Sequence, residues 1–241
     1  MAPAAERPIL LVAAHGERGG AGDNARLASI ADAAGALLPG WDVRHGVLSG
    51  KPALEDALSG PAGRTVAVWP FFMCRGYFTD TVLKKRLDGL GLEHVMLDVL
   101  GESRSFVELT CEKLLRKAGS TPENVLVIAH GSTKGTQSRL AAEKFAGWLA
   151  EAGASPNVTC AYLEEPPFAA GAIAGLPQGS VIVSLFAGDG LHGGQDLDDI
   201  LAESGRDDLT VVTPAADTQA VARIVAGAVV NRLDAFMPAS E

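Results

Sequence analysis

The chain has 241 residues, 47% hydrophobic and 5% aromatic, with 20 Lys and Arg against 29 Asp and Glu and a formal net charge of −9. This length allows one large or two modest domains around an aliphatic core. The acidic balance argues against a sequence-independent nucleic-acid surface, but leaves open an anionic ligand held by a local patch. The first residues, MAPAAERP, show no signal-peptide pattern. No apolar stretch reaches the roughly 18 residues of a membrane helix. Cys74, Cys111 and Cys160 show no C-x-x-C spacing, so a cytoplasmic protein without disulfides or a cysteine zinc site is expected.

In chain order, the hydrophobic pattern predicts a strand over 8–14, a helix over 23–38 capped by Asp23, a strand over 43–48 and a helix over 53–59. A strand over 65–72, a helix over 79–90, a strand over 95–100 and a helix over 103–118 capped by Ser103 complete the first half. Gly, Ser, Thr and Pro cluster at 118–124, which is read as the join. The second half predicts strands over 125–130, 158–163, 180–186 and 209–213. Its helices are expected over 136–152, 167–174, 194–204 and 217–235, the last capped by Asp217. Alternating strands and helices imply parallel sheets covered on both faces. The expectation is an α/β chain of two similar four-stranded lobes, 1–118 and 119–241.

The halves also look alike in detail. ILLVAAHG ends at Gly16 and VLVIAHG ends at Gly131. A gapless shift of 115 residues, from His15 to His130, pairs Val43 with Val158, Pro52 with Pro167, Val66 with Val181, Phe71 with Phe186 and Tyr77 with His192. A period this long indicates two whole subdomains. On that reading the second half keeps two histidines, and the first keeps His15 with Tyr77.

In open parallel sheets, ligands bind beyond the carboxyl ends of the strands. His15, His130 and the loops MCRGY (73–77) and AGDGLH (187–192) belong to such edges. AHGST is neither a Walker loop nor a nucleophile elbow. Taken alone, His130 is as well explained by a helix cap or a backbone contact as by chemistry. His192 sits in GDGLHGG, where glycines let a ligand approach the main chain. Two neutral imidazoles can hold a divalent ion and leave positions open, and one can accept a proton. Glu164, Glu165 and Asp189 can orient a histidine or attract a cation, while Asp196 reads as a helix start. Arg75 and Lys84-Lys85-Arg86 are either carboxylate binders or a solvated face. His45 reads as structural, and His94 as a turn residue without a role.

AHG at 129–131, LEEPPF at 163–168, SLFAGDGLHGGQDL at 184–197, AAHGERG at 14–20 and LGESRSFVELTCEKL at 100–114 resemble the class II tetrapyrrole chelatases, the cobalt- and iron-inserting sirohydrochlorin chelatases, in their long fused form. The resemblance implies two lobes facing across a cleft and ATP-independent insertion of cobalt or iron into sirohydrochlorin or a related tetrapyrrole. It implies no organic cofactor, the divalent metal being a substrate, and a monomer or homodimer with neither a membrane nor a nucleic-acid partner. His130 and His192 would bind the metal, with His130 also accepting a proton. Glu165 and the loop Ala187, Gly188, Asp189, Gly190 and Leu191 would contact the ring. His15, Tyr77, Arg75 and Glu164 are secondary candidates. The rival from another class is a non-catalytic tetrapyrrole or metal carrier on the same scaffold. A phosphate-binding enzyme using AHGST is a third reading.

Overall fold

In the structure, a computed structural model, residues 7–16, 24–60, 64–187 and 194–232 are described. The first sheet holds β1 (Ile9–Ala14), β2 (Asp42–Val47), β3 (Val66–Pro70) and β4 (His94–Met96). All its pairings are parallel, and the order is β2-β1-β3-β4. The second holds β5 (Asn124–Ala129), β6 (Asn157–Tyr162), β7 (Val181–Ser184) and β8 (Thr210–Val212) in the same parallel order, β6-β5-β7-β8. The central strands are continuous apolar runs because both faces of a parallel sheet are covered. Ile9 to Ala13 and Val125 to Ala129 are all buried.

The helices are α1 (Ala25–Leu37), α2 (Leu54–Ala57), α3 (Lys84–Gly89), α4 (Arg104–Ala118), α5 (Gln137–Glu151), α6 (Ala169–Ala174), α7 (Gly194–Ser204) and α8 (Thr218–Val230). The caps differ from expectation. The residue before α1 is Asn24, in a left-handed conformation, and Asp23 lies outside the described residues. Ser103 takes the N-cap position of α4 without a side-chain capping bond, whereas Asp217 directly precedes α8 as expected and also accepts from Lys113 Nζ at 2.6 Å. The helix expected over 79–90 begins as a π-helix, Tyr77–Leu83, before continuing as α3. Its first turn is tied by the Gly76 N–H, which donates to Thr79 Oγ1 at 2.8 Å.

Contacts gather the chain into two compact units that do not follow the sequence join near 118. One contains the first sheet with Thr218 onward, so α8 packs on α1. The other contains Leu100–Asp217, so α4 packs on α5 and β8. There Phe106 and Phe145, both fully buried, bring their rings to 5.6 Å. The loop Met73–Arg75 also belongs to this second unit.

The duplication is visible bond by bond. The Val47 N–H donates to Pro52 O at 3.0 Å, and the Tyr162 N–H to Pro167 O at 2.9 Å. The Ser49 N–H donates to His15 O at 2.8 Å, and the Glu164 N–H to His130 O at 3.0 Å. These pairs obey the 115-residue shift. The third strands do not. The Phe71 N–H donates to Ala13 O, whereas it is Leu185, not Phe186, whose N–H donates to Ile128 O. Register agrees: Leu10 pairs with Ala67, and Val125 with Val181. The link into the third strand is therefore one residue shorter in the second half. Val66 with Val181 and Phe71 with Phe186 are thus not structural counterparts, while His192, paired in sequence with Tyr77, lies outside the described residues. Continued along the sequence with no further gap, the 114-residue offset would set Leu191 against Tyr77 and His192 against Phe78.

Candidate functional site

His130 follows β5 directly, where the strand's last carbonyls leave the sheet. Its ring is 45% exposed, and its Nδ1 stands 3.6 Å from Glu164 Oε1, an ion-pair distance once the imidazole is protonated. Its own carbonyl accepts from Leu163 and Glu164 N–H at 3.2 and 3.0 Å. The β5 end and the loop after β6 thus hold each other through main-chain bonds, and the Glu164 carboxylate arrives beside the ring.

The turn that follows depends on a glycine. Gly131 has φ +73°, and a β-carbon there would come within 2.8 Å of Tyr162 Cβ and 3.0 Å of Glu165 Cγ. Its N–H donates to Ser138 Oγ at 3.1 Å, and the next N–H, of Ser132, donates to Glu165 Oε1 at 3.0 Å. The other Glu165 oxygen lies 3.5 Å from Arg139 Nε, and the carboxylate is 17% exposed. Arg139 also reaches Glu143 at 3.3 Å. Both Glu165 oxygens are thus engaged by this chain's own groups.

Ala129, His130, Ser138, Ala141, Ala142, Leu185, Phe186 and Ala187 line a cavity of about 160 Å³ with Met73 and Cys74. Behind Arg139 a larger open cavity of about 610 Å³ runs between α5 and β6, past Cys160 and Tyr162. Burial pushes the Cys160 thiol up to about 11 and also raises the Tyr162 phenol. Both stay neutral at ordinary pH.

Of the expected site residues, His130, Glu164, Glu165 and Ala187 come together at the carboxyl edge of the second sheet. Gly188, Asp189, Gly190, Leu191 and His192 lie outside the described residues. Among the described residues, no group of three or more His, Cys, Asp or Glu side chains forms a metal cluster. At the matching edge of the first sheet, His15 meets Phe78 edge-on with ring centroids at 4.5 Å. Phe78 meets Tyr77 at 5.5 Å, and the Tyr77 ring projects outward, with the residue 69% exposed. Arg75 belongs with the second unit, where its N–H donates to Glu102 Oε1 at 3.2 Å. Arg86 is structural: it is paired with Glu55, and its guanidinium donates to Leu48 O at 2.6 Å. His45 is half-buried and its pKa is lowered by burial. His94 Nδ1 lies 3.1 Å from Leu92 O.

Sequence reasoning missed Met73, Cys74, Ser138 and Arg139. The loop containing Met73 and Cys74 was identified as an edge loop, but of the first sheet. Ser138 and Arg139 carried no signal beyond their place in the first turn of a helix.

The fold is shared with solved chelatases. CbiX, described as the terminal enzyme of siroheme biosynthesis in denitrifying bacteria, is 28% identical, with a TM-score of 0.76 over 93% of this chain and 99% of its own. SirB from Bacillus subtilis with Fe3+ is 14% identical, with a TM-score of 0.75 over 95% of this chain and 98% of its own. DR2241 from Deinococcus radiodurans, a multi-domain protein with structural similarity to chelatases, is 23% identical, with a TM-score of 0.71 over 92% of this chain and 54% of its own. No family model matches the chain, and no curated protein matches it.

Proposed function

The chain belongs to the CbiX/SirB-like class II chelatase family, and from that premise we propose that it inserts cobalt(II) or iron(II) into sirohydrochlorin at the carboxyl edge of its second sheet, without a nucleotide. His130 and His192 are the metal-holding imidazoles, with Glu164 beside the first. Two imidazole nitrogens suit first-row divalent metals and leave coordination positions open, while the Glu164 carboxylate at 3.6 Å orients the first ring. An incompletely coordinated ion can pass to the macrocycle's nitrogens, which displace water and then the protein ligands.

The observation that carries this reading is internal. In the first half, the residue at the position equivalent to 192 is Phe78, and its ring stands 4.5 Å from His15. Continued past β7, the 114-residue sequence offset would set the His192 imidazole at that place beside His130, which supports the two as the metal-holding pair. The metal substrate enters as a dication, so the macrocycle must release two pyrrole N–H protons. Once the metal has left its ring, His130 accepts one of them, the Glu164 carboxylate at 3.6 Å stabilising the resulting imidazolium, and the other passes to solvent water. The neighbouring small-residue edge, including Ala187, gives the flat ring access to the metal.

A spectrophotometric assay with sirohydrochlorin and cobalt(II), and separately iron(II), tests the proposal. The free macrocycle's bands should convert to those of the metallated product at a rate that rises with enzyme. Stoichiometric metal binding without conversion, beside a working control chelatase, would instead make the protein a carrier.

A further inference from the structure

We propose that Arg139 is a positioning residue which, acting through Glu165, fixes the turn that aims His130. The inference rests on His130 being a metal ligand, as proposed above.

The peptide groups around His130 are accounted for one by one. Its carbonyl is held by the N–H groups of Leu163 and Glu164. The following N–H, of Gly131, is held by the Ser138 hydroxyl. The next, of Ser132, is held by the Glu165 carboxylate. The first of these restraints is main chain to main chain and repeats in both halves. The other two are made by side chains, and both trace back to the first turn of α5. Ser138 acts directly. Arg139 acts by fixing the far oxygen of Glu165, with Nε at 3.5 Å from Oε2, and is itself braced by Glu143. Gly131 closes the arrangement, since it lies too near Glu165 and Tyr162 to admit a β-carbon. A ligand bond needs its donor atom aimed to within a fraction of an ångström, and restraints one shell out supply that aim.

Among the described residues, the first half shows no such device. The 115-residue shift, which holds across these segments, puts Gly50 where Glu165 stands and Asn24 where Arg139 stands. Asn24 does tie the helix to the loop, its Nδ2 donating to Lys51 O at 2.8 Å. With a glycine at position 50, no carboxylate from that position reaches the turn after His15. Among the described residues, the clamp is thus found in the half whose histidine has a carboxylate beside it and not in the half whose histidine faces an aromatic ring.

The test uses the full chain and cobalt(II) alone as probe, followed by visible ligand-field absorption, with thermal unfolding measured alongside. Glu165→Ala and Arg139→Ala should weaken cobalt binding about 10- to 100-fold, the usual effect of losing an outer-shell restraint. Arg139→Lys keeps the charge and should restore most of the affinity, whereas Glu165→Gln keeps a carbonyl acceptor for the Ser132 N–H but turns an amide donor toward Arg139, so it should recover only part. In the insertion assay, the apparent KM for metal should rise while that for sirohydrochlorin holds. Arg139 is a third exposed and tolerates truncation, so it carries the test if Glu165→Ala does not fold. Wild-type cobalt affinity in Arg139→Ala, whatever its melting temperature, overturns the proposal. So does a loss that Arg139→Lys fails to restore. A wild-type chain that neither binds nor inserts cobalt or iron would instead sink the functional reading on which this one stands.

Discussion

The two histidine turns share a backbone and differ in what surrounds them. After β1, the His15 ring packs against Phe78, and its turn has a glycine at position 50. After β5, the His130 ring has Glu164 at ion-pair distance, and its turn is gripped by Ser138 and Glu165. Duplication supplied two equivalent strand ends. Side chains on neighbouring loops then made one a polar, restrained donor site and the other an aromatic contact.

The sharpest way to break this comparison is to delete each histidine in turn. His130→Ala should reduce metal insertion by more than about 100-fold, beyond the range for outer-shell changes, while His15→Ala costs less than about tenfold. Equal losses in the spectrophotometric assay would move the site to the other half. Next in size is Gly131→Ala, where a left-handed backbone and a 2.8 Å approach to Tyr162 oppose any β-carbon. It should cost about 1–3 kcal/mol in urea unfolding and displace His130, lowering insertion as well.

A substitution can also sharpen the comparison by gain. Phe78→His places an imidazole against His15, and calorimetric titration should then find about two cobalt ions per chain instead of about one. Tyr77→His should leave the count unchanged, and a gain there would refute the one-residue offset. The smallest effect concerns acid. Asp42, held by Arg44 and Arg64 at 2.8 Å each, has its carboxyl lowered below the ordinary 3.8, first by the Arg44 hydrogen bond. Its contribution is present above that ordinary value and is lost as pH falls through the lowered one. The counterpart Asn157 has no charge to lose. Asp42→Asn should therefore cost about 1 kcal/mol or less at neutral pH and leave stability flatter below about pH 4.

Much of this was legible in the sequence. Among the described residues, the strands and α-helices fall near where apolar runs and periodicity put them, because a buried parallel sheet demands such runs; the exceptions are the strand expected over 95–100, which ends at Met96, and the helix over 79–90, which opens as a π-helix. Both histidines at strand ends were equally plain. The offset was not. The links 59–65 and 175–180 are rich in small residues, and slipping the third strand by one still sets valine on valine and phenylalanine on phenylalanine. Apolar identity therefore could not reveal the slip, and only the hydrogen bonds of Phe71 and Leu185 did. The Arg139–Glu165 contact was equally hidden. The two residues are far apart in the chain, and a charged residue in a helix's first turn ordinarily reads as solvated.

The exchange of closing helices has a consequence for dissection. A fragment ending at the sequence join would carry α4, with Phe106, Val107, Cys111 and Leu114 bare of the surface that buries them, and would leave α1 without α8. The complementary fragment would have the reverse deficiency. The natural cut points are Val99 and Asp217, so the continuous stretch Leu100–Asp217 keeps the second sheet clothed, whereas the first sheet is clothed only by a discontinuous piece that includes Thr218 onward.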